Sequence, residues 1–138
     1  MSTPITVKTT VNQPILKVWE CWTKPEHITK WNFASDDWEC TKSENDLRIG
    51  GKFSSTMSAK DGSVSFNFEG VYTQVKENEK IAYVLADERK IEVIFKEIDG
   101  GVEITETFDP ENENPREMQQ GGWQSILNNF KKYTESLK

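Results

Sequence analysis

Apolar and polar residues alternate from the start of the chain. In TPITVKTTVN, Ile5, Val7, Thr9 and Val11 share one side, the period-2 pattern of a half-buried strand. The period then changes. Ile15, Val18, Trp19 and Trp22 recur at helical spacing behind Pro14 as first helical residue, so a short amphipathic helix follows the strand. Thr23, Lys24 and Pro25 repeat the start signal, and EHITKW predicts a second short helix that turns Ile28 and Trp31 inward and leaves His27 exposed. From residue 36 to residue 109, short β-rich runs alternate with turn signals at Asp61-Gly62, Glu77-Asn78 and Asp99-Gly100-Gly101, the layout of an antiparallel meander. The predicted strands cover residues 37–42, 51–60, 63–76, 80–87, 90–98 and 101–109. Ile91, Val93 and Phe95 oppose Glu92, Ile94 and Lys96 in parity, as in a sheet with one buried and one largely solvated face. The buried face needs a cover.

A final helix supplies it. Asn114, Pro115 and Glu117 stand as N-cap, first and third helical residue in a capping-box arrangement, and the helix runs toward Lys138. On a wheel of roughly 100° per residue, Met118, Gly122, Ile126, Phe130 and Tyr133 fall in one apolar stripe, with Gly121 on the opposite side. Two adjacent glycines cost a helix interior roughly 1 kcal/mol each relative to Ala. Gly122 within the stripe therefore predicts either close packing of another backbone or space left for a pocket, and Gly121 a loosened turn without chemical role.

The length of 138 residues suits one domain spanning 1–138, with no linker, repeat or low-complexity tract. A net charge of −6 argues against nucleic acid and anionic membranes as partners, since both need clustered Lys and Arg. Cys21 and Cys40 lack metal-ligand spacing and His27 is the single histidine, so two packed reduced thiols are expected, with no metal and no cofactor. No stretch is long and apolar enough for a membrane span, and the N-terminus lacks a signal-peptide run, which predicts a cytoplasmic protein, monomeric or weakly dimeric.

Two segments carry a resemblance. NDLRIGGKF (45–53) and GGWQSILNNFKKY (121–133), supported by WTKPEHITKW (22–31) and FEGVYTQVKENEKIAYVL (68–85), are similar to the activator of heat-shock protein 90 ATPase homologue family within the START-like (SRPBCC) superfamily. The resemblance implies an α+β helix-grip fold, START-like or Bet v-like. In it a curved antiparallel sheet of about seven strands wraps a long C-terminal helix, two short helices follow strand one, and a cavity lies between sheet and helix. Superfamily members hold lipids, polyketides, plant hormones or other apolar molecules there. No catalytic set transfers with the resemblance, and fold alone licenses no reaction. Asp46, Arg48, Gly50 and Gly51 are read as a turn device with local hydrogen bonds.

The candidate ligand-binding residues follow from parity and from the helical stripe. Glu106 shares a parity with Val102, Ile104 and Phe108, so it points inward unless a bulge turns it; inside, it is either in a structural salt bridge or available for ligand or acid/base work. Phe66, Phe68 and Tyr72 share one parity, Val71, Thr73 and Val75 the other, which predicts a bulge at Gly70 and leaves the side taken by Glu69 open. Trp31, Phe33 and Trp38 surround the corner after the helix pair, as a pocket mouth or as ordinary core. Met118, Gly122 and Ile126 complete the set from the long helix. Three functions compete: a binding protein for a hydrophobic small molecule, an enzyme of cyclase or hydrolase type with Glu106 and Tyr72 as its polar pair, and a co-chaperone that stimulates the heat-shock protein 90 ATPase. The last is disfavoured, because the eukaryotic co-chaperone carries a further N-terminal domain ahead of the segment seen here.

Overall fold

A computed structural model describes residues 3–137. The chain order is β1 (Ile5–Val11), α1 (Ile15–Thr23), α2 (Pro25–Ile28), β2 (Trp38–Asn45), β3 (Lys52–Ala59), β4 (Ser65–Lys76), β5 (Lys80–Leu85), β6 (Lys90–Ile98), β7 (Gly101–Phe108) and α3 (Arg116–Ser136). The seven strands form one curled antiparallel sheet in the order β1-β7-β6-β5-β4-β3-β2. Every neighbouring pair from β2 to β7 is a sequence-local meander. Only β1 departs from it, pairing with β7 at the far end of the domain, so α1 and α2 carry the chain from one edge of the sheet to the other.

Strand parity dictates the core. Val7, Val11, Val93, Val102, Ile104 and Phe108 are buried on the concave face. Leu127 and Phe130 of α3 press onto them. Trp22 of α1 lies within 4.8 Å of Phe130, 5.0 Å of Trp31 and 5.6 Å of Phe95 by ring centroids, an aromatic knot that fixes the helix pair to both layers. Such pairs contribute about 0.5–1.5 kcal/mol each beyond the area they bury. Trp31 is also held by a hydrogen bond from its indole N–H to the Cys21 carbonyl at 2.9 Å. No described helix is long and apolar enough to cross a membrane.

Several local expectations are corrected. Pro14 is the extended cap residue of α1, not its first turn, and α2 ends at Ile28, with a turn delivering Trp31. β2 runs on to Asn45 because Lys42 to Asn45 find partners in Thr56 to Phe53. The capping box at α3 does not form: Pro115 occupies the cap position, and both the backbone and side-chain N–H of Asn114 turn back to Glu111 at 2.7 and 2.9 Å. The bulge of β4 lies at Thr73, not Gly70. Pairing with β5 is regular to Tyr72–Tyr83 and resumes at Gln74–Ala82, so Tyr72 and Val75 both face the core although three positions apart. Glu69 faces outward and accepts from the Ser54 hydroxyl at 3.2 Å. His27 is not exposed: its Nδ1 meets the Tyr133 hydroxyl at 2.6 Å and its Nε2 faces Glu20 at 3.4 Å, tying α2 to the last turns of α3. The turn reading of the 46–51 segment fits the structure. Arg48 Nε donates to the Asp46 carboxylate at 3.0 Å, Gly50 adopts φ 82°, and the loop is stitched to the Tyr72 backbone on both sides.

The glycines separate into two kinds. α3 runs unbroken through Gly121 and Gly122, and a Cβ at either would meet nothing within 4 Å. At Gly70, by contrast, a Cβ would stand 2.7 Å from the Phe53 ring and 3.0 Å from the Val84 carbonyl. Gly121→Ala and Gly122→Ala are each expected to stabilise the fold by up to about 1 kcal/mol, as helix propensity dictates. Gly70→Ala should destabilise it by about 1–3 kcal/mol through overpacking. Urea titration of the three variants reads both signs, and a loss of stability in the helix variants would show that α3 packs more closely than described.

Candidate functional site

The stripe of α3 that faces the sheet is set by four buried residues, Gln119, Leu127, Phe130 and Thr134. Two of them are polar, which rotates the true inner face away from Met118 and Gly122. Between this face and the β2–β5 half of the sheet lies a cavity of about 300 Å³. Trp22, Phe53, Phe68, Tyr72, Tyr83 and Trp123 form much of its wall, with Ile28, Met57, Ile81 and Ile126 between them. Phe53 is central: its ring lies 4.7 Å from Tyr83, 5.3 Å from Tyr72 and 5.9 Å from Phe68, over the space that Gly70 leaves free. From the helix, Trp123 stacks on Phe108 at 3.9 Å and meets the edge of Phe68 at 6.0 Å.

The polar wall residues are mostly engaged. The Gln119 amide oxygen accepts the Glu111 N–H at 2.9 Å and its NH2 donates to the carbonyls of Asn114 and Glu111, clamping the β7–α3 loop. Tyr72 donates to Asn45, which in turn donates to the Thr23 carbonyl. Burial raises the Tyr72 hydroxyl above its ordinary range, so it remains a neutral donor. Arg89 is paired with Asp87 at 2.7 Å.

Glu106 differs. It sits in the middle of β7 between Val7 of β1 and Val93 of β6, is 6 % exposed, and has no hydrogen-bond or ion-pair partner among the described residues. Neither the outward bulge nor the structural salt bridge is found. Burial alone pushes its carboxyl up to about 8, because nothing nearby compensates the lost hydration of the charged form.

Of the ten residues selected from sequence, the structure brings Trp31, Phe66, Phe68, Tyr72, Glu106 and Ile126 to the cavity wall, Phe66 at the rim and half exposed. Four are elsewhere. Phe33 lies in the turn after α2, with its carbonyl held by Asn129. Trp38 stands behind Phe66 at 5.8 Å without reaching the wall. Met118 is 62 % exposed, and Gly122 flanks the inner stripe over open space. Sequence reasoning missed Trp22, Phe53, Tyr83, Gln119 and Trp123. Tyr83 was within reach, since it shares the parity of Ile81 and Leu85. Gln119 was not, since nothing in the hydropathy pattern marks a buried amide.

The family model for activator of Hsp90 ATPase homolog 1-like protein matches residues 12–135. The chain is similar to the solution structure of an AHSA1-like protein from Aeromonas hydrophila, with 42% identity over 97% of this chain and 93% of that one and a TM-score of 0.91. It is also similar to the Chr148 protein from Cytophaga hutchinsonii, with 53% identity over 96% and 92% and a TM-score of 0.83. A protein of unknown function from Staphylococcus aureus, 17% identical over 99% and 95% with a TM-score of 0.76, shares the fold alone. Comparison with curated proteins finds no match.

The unpartnered acid makes stability depend on pH with a definite sign. A carboxyl that ordinarily titrates near 4.5 and is held up to about 8 when folded binds its proton more tightly in the native state. Its contribution is therefore complete below about pH 4.5 and declines as the pH rises to about 8, levelling off above that at a loss on the order of 5 kcal/mol. Glu106→Gln is expected to match the wild type within about 1 kcal/mol near pH 5 and to exceed it by several near pH 9. Urea denaturation at the two pH values measures the difference, and an identical pH response of both proteins would contradict the description of Glu106.

Proposed function

We propose that this chain, which belongs to the activator of Hsp90 ATPase homologue family, is a binding protein for a hydrophobic small molecule held between the sheet and α3. The fold is of a ligand-binding type, and the single observation that carries the finer reading is the cavity wall: aromatic and aliphatic side chains around about 300 Å³, at the lower bound of the range usual for small-molecule sites. Its volume suits a ligand of two or three rings or a short chain. The half-exposed Phe66 at the rim, backed by Trp38, gives an apolar approach from solvent.

The enzymatic alternative rests on Tyr72 with Glu106, and the geometry does not favour that pair. Tyr72 is committed to Asn45, and no hydrogen bond joins it to Glu106 among the described residues. Binding without turnover is thus the reading best supported.

The neutral fluorophore N-phenyl-1-naphthylamine tests it. Its emission is expected to rise on saturable binding to the wild type. Ile126→Trp, which adds bulk from α3 into the cavity, should weaken that binding at least about tenfold while leaving the melting temperature within a few degrees, because the added volume fills space rather than displacing core. Gly122→Ala should bind as the wild type. Absence of saturable binding, or unaltered binding by Ile126→Trp, would sink the reading.

A further inference from the structure

Two polar side chains that face the cavity lack a protein partner among the described residues. Among the described residues, neither the Glu106 carboxyl on β7 nor the Tyr83 hydroxyl on β5 has a hydrogen-bond or ion-pair partner, whereas Gln119, Tyr72, Asn45 and Arg89 are all engaged. Both unpaired residues project from the concave face, and both are less than a tenth exposed. Both border the cavity, so an occupant that displaces water from them without replacing its hydrogen bonds forfeits about 1–3 kcal/mol at each, and one that satisfies them is favoured.

We propose that the cavity takes a neutral apolar molecule bearing a carbonyl-type oxygen, and that this oxygen accepts hydrogen bonds from both the Glu106 carboxyl and the Tyr83 hydroxyl. The proposal rests on the hydrophobic-ligand reading above and adds the chemistry of the ligand's polar end. Both groups are donors at neutral pH. Burial holds the Glu106 carboxyl protonated up to about 8, and raises the Tyr83 hydroxyl well above its ordinary range, with the Glu106 charge acting in the same direction. Two O–H donors in an apolar, low-dielectric wall select an acceptor, and they do so without burying a charge. A carboxylate ligand would compete with Asp87, which already pairs with the Nε of the wall residue Arg89 at 2.7 Å and offsets its charge. An ammonium ligand would have to ionise Glu106 first, between two valines.

The other titratable groups around Glu106 leave its protonation the controlling event. β1 and β6 present only Val7 and Val93 beside it, and α3 presents the engaged amide of Gln119. Tyr72 and Tyr83 stay neutral. Glu111, in the loop above, is half-buried and held low by the Asn114 N–H groups, and Glu44 at the wall faces Lys42 at 3.1 Å.

Calorimetric titration with matched naphthalenes tests the assignment: 2-acetonaphthone, 2-ethylnaphthalene, 2-naphthoic acid and 2-naphthylmethylamine. At pH 6 the ketone is expected to bind at least about tenfold tighter than the hydrocarbon, and the acid and the amine more weakly than the ketone. Tyr83→Phe and Glu106→Leu should each reduce the ketone's advantage over the hydrocarbon, measured on the same variant, to about threefold or less. Glu106→Gln keeps an N–H donor and should retain the preference. The ketone affinity of the wild type should fall as the pH rises through 8, and that of Glu106→Gln should not. Equal binding of ketone and hydrocarbon overturns the donor pair while leaving the hydrophobic-ligand reading intact. Tightest binding of the amine, growing stronger above pH 8, overturns it in favour of an anionic site. Failure of all four compounds to bind overturns both readings.

Discussion

An open sheet has two edges, and the β1 edge is closed by the helix that also covers the sheet. Unpaired strand groups need partners, and α3 provides them from its side chains. Gln124 donates to the Lys8 carbonyl at 3.0 Å and Lys131 to that of Thr10, while Glu135 accepts the Asn12 N–H at 2.8 Å. Gln13 answers from the strand side, donating to the carbonyls of Thr134 and Leu137 at the helix end. Gln124, Asn128, Lys131 and Glu135 follow one another at spacings of four, three and four, so a single polar stripe runs along the strand. This strap sets where α3 lies, and its position decides which of its faces meets the sheet.

With α3 strapped at that edge, the β1, β7 and β6 side of the sheet fills with Leu127, Phe130 and the strand residues beneath them. The β2–β5 side is left to Gln119, Trp123 and Ile126; Trp123 meets the edge of Phe68, and the gap that remains is the cavity. Its wall is rigid for a physical reason: Phe53, Phe68, Tyr72 and Tyr83 meet at edge-on or tilted angles, a packing that resists sliding. The bulge at Thr73 lets Tyr72 and Val75 share the core face, so that Val75 packs inward where strict alternation from Tyr72 would have turned it to solvent.

The strands, their order along the chain and the inward parity of Glu106 were legible because β6 and β7 alternate cleanly. The inner face of α3 was not. Its centre is marked by Gln119 and Thr134, which hydropathy places outside, while exposed Met118 and the open flank at Gly122 look apolar. The polar strap stripe misleads in the same way, since it looks solvated and is in fact bonded to an edge strand. Phe53 was obscured by its own strand, KFSSTMSA, where serines dilute the alternation that would have set it beside Ser55 and Met57. Family resemblance located the cavity but not its wall, because wall residues depend on the rotation of α3 and on how side chains pack across the sheet.

The pairing of β1 with β7 also governs the order in which the chain can assemble. Thr6 and Thr107, which meet across that pair, lie 101 positions apart. The meander from β2 to β7 can form from local hairpins as it is synthesised, yet the first strand made has no native neighbour until the last strand exists. Its edge partners on α3 come later still. The N-terminal segment therefore waits through most of translation as an exposed β-prone stretch, and its closure is the long-range, slow step of folding that topology imposes. The lysine and threonines of TVKTTV suit that wait, as they keep the stretch from matching a neighbouring chain's edge.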